Sequence, residues 1–318
     1  MKFKLLITSS NYSDGSLERE MLSSLGVEVI VENSPTEEQI IEHGQDANGI
    51  LVGYTPIGIK AFQELNNLGI IVRTGIGVEN INLNVAKEKN IRVCNVPDYC
   101  LNEVADHAMA LLLSLERKIV YQSNLILQNG KWEGVNAIRP IYGLSGRILG
   151  LVGFGGIGRN VAKRAQSFGL KVFAFDPFAN KDIAHEYGVE LVPFKTLVTE
   201  SDYLSLHAPL TDSTKHIINS ESLSLMKAST YLINTSRGGL VDNNALFEAL
   251  TNKKLAGAGL DVIEDDLAGA LRFREFQNVI ITPHTGYYSL ASSKKMRINS
   301  AEEIARFIKG EKLKNQLV

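Results

Sequence analysis

Only two cysteines, Cys94 and Cys100, occur in 318 residues. They build neither a disulfide framework nor a metal cluster, and no histidine pair stands at ligand spacing with a third partner, so no metal is expected. Long apolar runs are also missing. Lys2 and Lys4 precede an apolar run of only Leu5 to Ile7, too short for a signal-peptide core. The stretch Ala108 to Leu115 is broken by Ser114 and followed by Glu116, Arg117 and Lys118, so it does not span a bilayer. Excess charge of one sign is absent as well. Lys and Arg total 33 against 35 Asp and Glu, a net −2, which argues against nucleic acid or a membrane surface as partner. By elimination a cytoplasmic location is expected. The single tryptophan, Trp132, sits in a loop from Gly130 to Tyr142 and is expected to be an aromatic anchor beneath it. What remains is ordinary: 44% hydrophobic and 21% charged residues, over a length that suits two domains.

The chain is organised around the stretch from Gly146 to Pro177. Arg147 to Val152 is a β-prone apolar run. Gly153-Phe154-Gly155-Gly156-Ile157-Gly158 follows, a G-x-G-x-x-G. Ile157, Val161, Ala162, Ala165 and Phe168 then recur at helical spacing, and Gly169 stops the helix. Lys171 to Phe175 is a second strand, ending on Asp176. Gly153 permits a tight turn. Gly155 lets a pyrophosphate approach the backbone, and Gly158 lets helix and strand pack closely. The helix N-terminus offers free N–H groups and partial positive charge to that pyrophosphate. Asp176 lies 18 residues after Gly158, where an acid bonds ribose hydroxyls; its charge repels a 2′-phosphate and favours NAD over NADP.

Residues 1–100 read as a smaller α/β unit. Strands are expected at Lys4–Thr8, Val27–Val31, Gly49–Val52, Ile70–Arg73 and Ile91–Asn95. Helices are expected at Leu17–Leu25 and Thr36–His43, with Thr36 as N-cap. Val96 to Cys100 is a crossing between domains, feeding a long helix from Asn102 to about Val120. From residue 146 to about 285 the alternation repeats, with strands at Tyr203–His207, Thr230–Thr235, Ala256–Asp261 and Val279–Thr282. A final helix, Ala301–Lys309, returns to the first domain. The chain ends soon after it, leaving no room for an appended regulatory domain.

Four loops after strands carry chemistry. In Thr235-Ser236-Arg237-Gly238-Gly239, an arginine between a strand end and two glycines either forks onto a carboxylate or is a surface residue in a tight turn. Asp261 ends a strand, and Glu264, Asp265 and Asp266 follow it; singly, each reads better as part of a solvated acidic loop. In Thr282-Pro283-His284-Thr285-Gly286, Pro283 and Gly286 present His284 stiffly, and histidine is the natural proton donor near neutrality. The Gly75–Val78 loop has N–H groups to offer an anion. His43 and His185 read as helix-surface residues and His216 as exposed. His107 reads as a buried, hydrogen-bonded residue, and His207 ends a strand beside the nicotinamide region. Tyr54, after a first-domain strand, borders a substrate side chain or is a packed loop residue. An aromatic there suits a phosphate poorly, which tilts substrate choice toward lactate-type, glyoxylate or bulkier apolar acids. Tyr287 and Tyr288 narrow the pocket further.

Taken together, Gly75-Ile76-Gly77-Val78-Glu79-Asn80, the Gly153–Gly158 turn, Asn234-Thr235-Ser236-Arg237-Gly238-Gly239, Leu260-Asp261-Val262 and Pro283-His284 resemble the D-isomer-specific 2-hydroxyacid dehydrogenases, the phosphoglycerate dehydrogenase-like group, over essentially the whole chain. The resemblance implies an α/β fold of two Rossmann-like domains with doubly wound parallel sheets. Residues 1–100 and 291–318 would form a flavodoxin-like substrate domain and residues 101–290 the NAD-binding domain, with reaction in the cleft between them. It implies that Arg237 binds the substrate carboxylate and polarises the 2-oxo group, that His284 protonates the oxygen as hydride reaches C2, and that Asp266 pairs with His284. Ile76, Gly77 and Val78 would hold the carboxylate. Gly156, Ile157, Asp176, Ala208, Thr235, Ser236, Arg237, Asp261, His284 and Gly286 would line the NAD site. Three departures stand out. Asp266 replaces a usual Glu and is shorter, so it needs a shifted loop, a water, or replacement by Glu264. Gly156 stands where Arg or Lys is frequent. Glu79 and Asn82 replace the usual acids of the anion-binding loop. The resemblance also implies a homodimer built partly on the Asn102–Val120 helix. An NAD-binding corepressor-like scaffold without turnover is the alternative.

Overall fold

A computed structural model describes residues 2–8, 14–32 and 36–318. They form two compact units, one of residues 1–100 and 288–318, the other of 101–287. The first holds five strands: β1 (Lys4–Ile7), β2 (Glu28–Val31), β3 (Gly49–Val52), β4 (Ile70–Arg73) and β5 (Arg92–Cys94). Every pairing is parallel and the order is β2-β1-β3-β4-β5. The runs Gly-Ile-Leu-Val and Ile-Ile-Val-Arg are buried at every position, because helices cover both faces of such a sheet.

The second unit contains β6 (Ile148–Val152), β7 (Lys171–Phe175), β8 (Glu190–Leu191), β9 (Tyr203–Leu206), β10 (Tyr231–Asn234), β11 (Gly257–Leu260) and β12 (Val279–Ile281). Their order is β12-β11-β10-β9-β6-β7-β8, again all parallel. The chain starts in the middle at β6, builds one flank, then returns to build the other from β9. That reversal makes the switch point where α/β sheets bind ligands outside their carboxyl ends. The fold is therefore α/β with two doubly wound parallel sheets, and the first unit takes both chain ends.

Three expectations about elements fail. The helix expected to run to Val120 ends at Glu116; Lys118 turns left-handed (φ 51°) and a second helix, Ile119–Leu127, begins. The apolar stripe that packs the first helix stops at Leu115, so nothing holds the chain in line beyond it. The last helix is 20 residues long, Leu290–Lys309, not nine; a Ser289/Ser292 capping box starts it. Its first half was hidden by polar residues, yet it buries Ser292 and Met296, and Arg297 forks onto the buried Glu18 at 2.8 and 2.7 Å. Finally, Trp132 is 85% exposed and anchors nothing beneath it.

Candidate active site

Six consecutive neighbours in the larger sheet each release a loop of interest at the carboxyl edge. In spatial order, β7 ends before Asp176, β6 before Gly153, β9 before His207, β10 before Thr235, β11 before Asp261 and β12 before Thr282. Strand register aligns these ends: Val152 pairs with Phe175 and Leu206, Asn234 with Leu206 and Leu260, and Leu260 with Ile281.

The glycine turn is shaped by close approaches. Gly153 is left-handed (φ 96°), and a Cβ on it would lie 2.7 Å from the Ala208 nitrogen. A Cβ on Gly158 would strike the carbonyl of Gly153. Gly155 faces open space, so its backbone is accessible from outside. It caps the helix Gly156–Ser167, in whose first turn Ile157 and Gly158 lie. Asp176 braces the turn: one carboxylate oxygen accepts the Phe154 amide at 2.8 Å and the other accepts the Phe178 amide at 2.8 Å. Each oxygen keeps acceptor capacity. Nearby, His207 Nδ1 and Thr235 Oγ1 are buried without a hydrogen-bond partner. An exposed backbone at a helix N-terminus, an acid with lone pairs to spare and unsatisfied buried polar atoms together fit a dinucleotide.

Burial pushes the His207 imidazole down to about 4, so it is neutral near pH 7; its Nε2 meets Ser205 Oγ at 2.9 Å. The Arg237 loop is clamped by Asn234, which sequence reading left without a role. The Asn234 side chain donates to the Arg237 carbonyl at 2.8 Å and accepts the Ser236 amide at 3.0 Å. Ser236 Oγ donates to the Ala208 carbonyl at 2.6 Å. Arg237 Nη1 donates to the Ser236 carbonyl at 2.7 Å. Gly238 is required because the Ile263–Glu264 peptide passes where a Cβ would stand.

Asp261 is 2% exposed and organises the His284 loop. Burial would raise its pKa, but bonds from His107, Thr282, Gly286 and Thr285 outweigh this and hold the carboxyl down at about 2. His284 is left-handed (φ 53°). Of the two acids left open as its partner, Glu264 holds His216, with Oε1 at 2.9 Å from Nε2. His216 is thus half-buried rather than exposed; its amide is also tied to the Gly239 carbonyl at 2.8 Å. Asp266 is exposed and opens the helix Asp266–Leu271 with φ 41°.

The smaller unit carries a second constellation, also after strand ends. Among the described residues the amides of Ile76, Gly77 and Val78 donate to no backbone or side-chain acceptor. Asn80 ties this loop to the Tyr54 loop, donating to the carbonyls of Gly53 and Thr55 at 3.1 and 2.9 Å. Tyr54 is half exposed and lies 5.0 Å beneath the Arg73 guanidinium. Arg73 was missed from sequence. It is 7% exposed, no carboxylate among the described residues pairs with it, and its Nε has no partner. The available signal was a cation closing an otherwise apolar run just before a glycine loop.

Residues 109–286 match the family model described as D-isomer specific 2-hydroxyacid dehydrogenase, NAD binding domain. A D-3-phosphoglycerate dehydrogenase of Methanocaldococcus jannaschii is 36% identical over 98% of this chain and 59% of its own length. A hydroxypyruvate reductase of Thermotoga maritima is 42% identical over 75% of this chain and 77% of its own. The solved D-lactate dehydrogenase of Aquifex aeolicus, complexed with NAD and lactic acid, superposes with a TM-score of 0.87 at 30% identity, covering 96% of each chain. The chain thus spans about three fifths of the length of that phosphoglycerate dehydrogenase.

Proposed function

The chain belongs to the D-isomer-specific 2-hydroxyacid dehydrogenase family, and we propose that it reduces a small 2-oxo acid to the D-2-hydroxy acid at the expense of NADH. The observation that carries this reading is the row of six loops on adjacent strands, from Asp176 to His284. Neighbouring strands lie about 4.8 Å apart, so Arg237 and His284, leaving β10 and β12, start roughly 10 Å from each other. One small anion fits between such groups.

Asp176 holds the adenosine ribose, the 153–158 turn and its helix hold the pyrophosphate, and Ala208, Thr235, Ser236, Asp261 and Gly286 line the remainder. When bound, NADH supplies the hydride. Arg237 grips the carboxylate and polarises the C2 carbonyl. His284, protonated, stabilises charge growing on the oxygen and delivers its proton there. Asp266 is the acid we assign to His284, since Glu264 is held by His216. The amides of Ile76, Gly77 and Val78 hold the carboxylate, in a substrate-binding unit distinct from the NAD-binding one. Arg73 bears on the substrate's remaining part. A buried guanidinium without a carboxylate is costly until an anion meets it, so Arg73 above Tyr54 reverses the argument that Tyr54 makes against a phosphate. We therefore favour 2-oxo acids with a polar or anionic C3 substituent.

We further propose a cytoplasmic homodimer. A groove of about 1140 Å³ lies between Tyr121, Pro140, Tyr142, Tyr231 and Phe276, and exposed Leu127, Trp132 and Val135 project from the segment that edges it. A groove edged by projecting apolar side chains suits an isologous contact with a second copy. Light scattering of the protein and of Trp132→Ser tests this: a wild-type monomer overturns it.

The enzymatic reading is tested by NADH oxidation with pyruvate, glyoxylate, hydroxypyruvate, phenylpyruvate and 3-phosphohydroxypyruvate. Turnover is expected, with the last or hydroxypyruvate ahead of pyruvate in kcat/KM. NADH binding without turnover of any would favour a cofactor-regulated scaffold instead.

A further inference from the structure

His107 takes no part in the reaction just assigned, yet it is built into the loop that carries His284. It stands on the helix Leu101–Glu116, 175 residues before Thr282, and its Nε2 lies 2.8 Å from Thr282 Oγ1. Thr282 Oγ1 is in turn 2.6 Å from Asp261 Oδ1. The hydroxyl has one proton, and the ionised carboxylate can only accept, so Thr282 donates to Asp261. Its oxygen must then accept from His107, which places a proton on Nε2. The run is His107 N–H to Thr282 O–H to the Asp261 carboxylate, each bond polarising the next, and the same Nε2 also lies 3.4 Å from Asp261 Oδ1.

The rest of Asp261 is turned on the histidine loop. Its Oδ1 accepts the Thr285 amide at 3.0 Å and its Oδ2 the Gly286 amide at 2.9 Å, while its carbonyl accepts the His284 amide at 2.8 Å. Those bonds bracket the one residue of the loop with a left-handed backbone, His284 at φ 53°. A residue with a β-carbon stays there only where its surroundings over-determine it. Gly286 completes the fit: a Cβ on it would lie 2.8 Å from Asp261 Oδ2 and 3.2 Å from the His107 ring, so the loop lies flat against both.

We propose that His107 is a positioning residue for His284, acting through Thr282 and Asp261 to hold the turn that presents the imidazole. The inference rests on the reading of His284 as proton donor. The test uses the full chain. His107→Phe keeps a ring without a donor, and His107→Gln restores an N–H. Thr282→Val removes the relay hydroxyl, and Thr282→Ser restores it. His107→Phe is expected to lower kcat by about ten- to a hundredfold with KM little changed, the size of effect that a small misplacement produces. Amide exchange at Thr285 and Gly286 should quicken in the same variant while exchange in β6 and β9 holds. His107→Gln and Thr282→Ser should recover most of both. The double variant His107→Phe/Thr282→Val should be no worse than His107→Phe alone, since losing the imidazole already removes both the relayed and the direct contact with Asp261. Wild-type kcat and exchange in His107→Phe overturn the proposal, as do equal losses in His107→Gln or additive losses in the double variant. If the wild type reduces no 2-oxo acid, the enzymatic reading falls, and the exchange measurements still decide the positioning.

Discussion

The two ends of the seven-stranded sheet are built from the same strands and finished in opposite ways. At the amino end, polar groups are closed upon one another. Glu116, 2% exposed, accepts from Arg147 at 3.1 Å, the Tyr203 hydroxyl at 2.8 Å and the Tyr142 amide at 2.7 Å. Arg147 lies over the Tyr203 ring, and Asp202 joins through Lys227 and the Ile148 amide. Burial and the bond to Glu116 push the Tyr203 phenol up, and the bonds to Asp202 hold its carboxyl below the usual range despite burial. At the carboxyl end, two buried atoms lack partners, while left-handed non-glycine backbone occurs at both ends, at Lys253 before β11 as at His284 after β12. One end spends its hydrogen-bonding capacity on the fold; the other holds some back, as sites that bind and react do.

Variants at each end sharpen this contrast. The largest effect is expected at the carboxyl end: His284→Ala should lower kcat by about two to four orders of magnitude, equivalent to about 3–5 kcal/mol of barrier, with little change in Tm. Steady-state rates and calorimetry on one preparation decide it, and full activity would remove His284 from the mechanism. Next comes Glu116→Ala at the amino end, which takes from Arg147 its nearer carboxylate and leaves Asp202 at 3.5 Å. Arg147 is partly wet and keeps that second partner, so about 2 kcal/mol of stability should be lost, with kcat per folded molecule unchanged. Denaturant unfolding reads this directly; a variant as stable as wild type, or one crippled in kcat, would erase the distinction between the ends.

Smaller is the effect of Asp176→Ser. Loss of the carboxylate should narrow the preference for NAD over NADP by about tenfold, or about 1.4 kcal/mol, seen as a ratio of kcat/KM values. An unchanged ratio would take the ribose from Asp176. The smallest is a pH effect. Burial lowers His207 from its ordinary 6.5 to about 4, so the folded state binds its proton less well than the unfolded state does. Its contribution is whole above about 6.5 and is lost as pH falls toward 4. Asp261, lowered from 3.8 to about 2, adds its own loss only below that. The stability of His207→Asn should therefore slope less than wild type between pH 7 and 4; parallel curves would exclude His207 as the titrating group.

The parts of this site that could be read beforehand are those written in consecutive residues. The Gly153–Gly158 turn, Asp176 at a strand end, the Arg237 loop and Pro283-His284 each declare their backbone conformation locally. What escaped depends on distant residues. Arg73 closes an apolar strand and is ambiguous until Tyr54 is found beneath it. His216 reads as exposed until Glu264, 48 residues on, is found at its ring. Trp132 reads as an anchor because aromatics usually bury, and only the fold shows that its unit has no core to offer there. The break at Lys118 and the first half of the Leu290–Lys309 helix escaped because their patterns are polar.

Alternation of short apolar runs, glycine turns and amphipathic helices was enough by itself to dictate parallel sheets and to send the candidate side chains to one edge, since these are properties of neighbouring residues. Which of those side chains touch was settled only by strand order and packing. The relay from His107 to Asp261 joins a helix to two strand ends more than 150 residues further along, and no local pattern encodes a contact whose partners meet only after the sheet has closed around them.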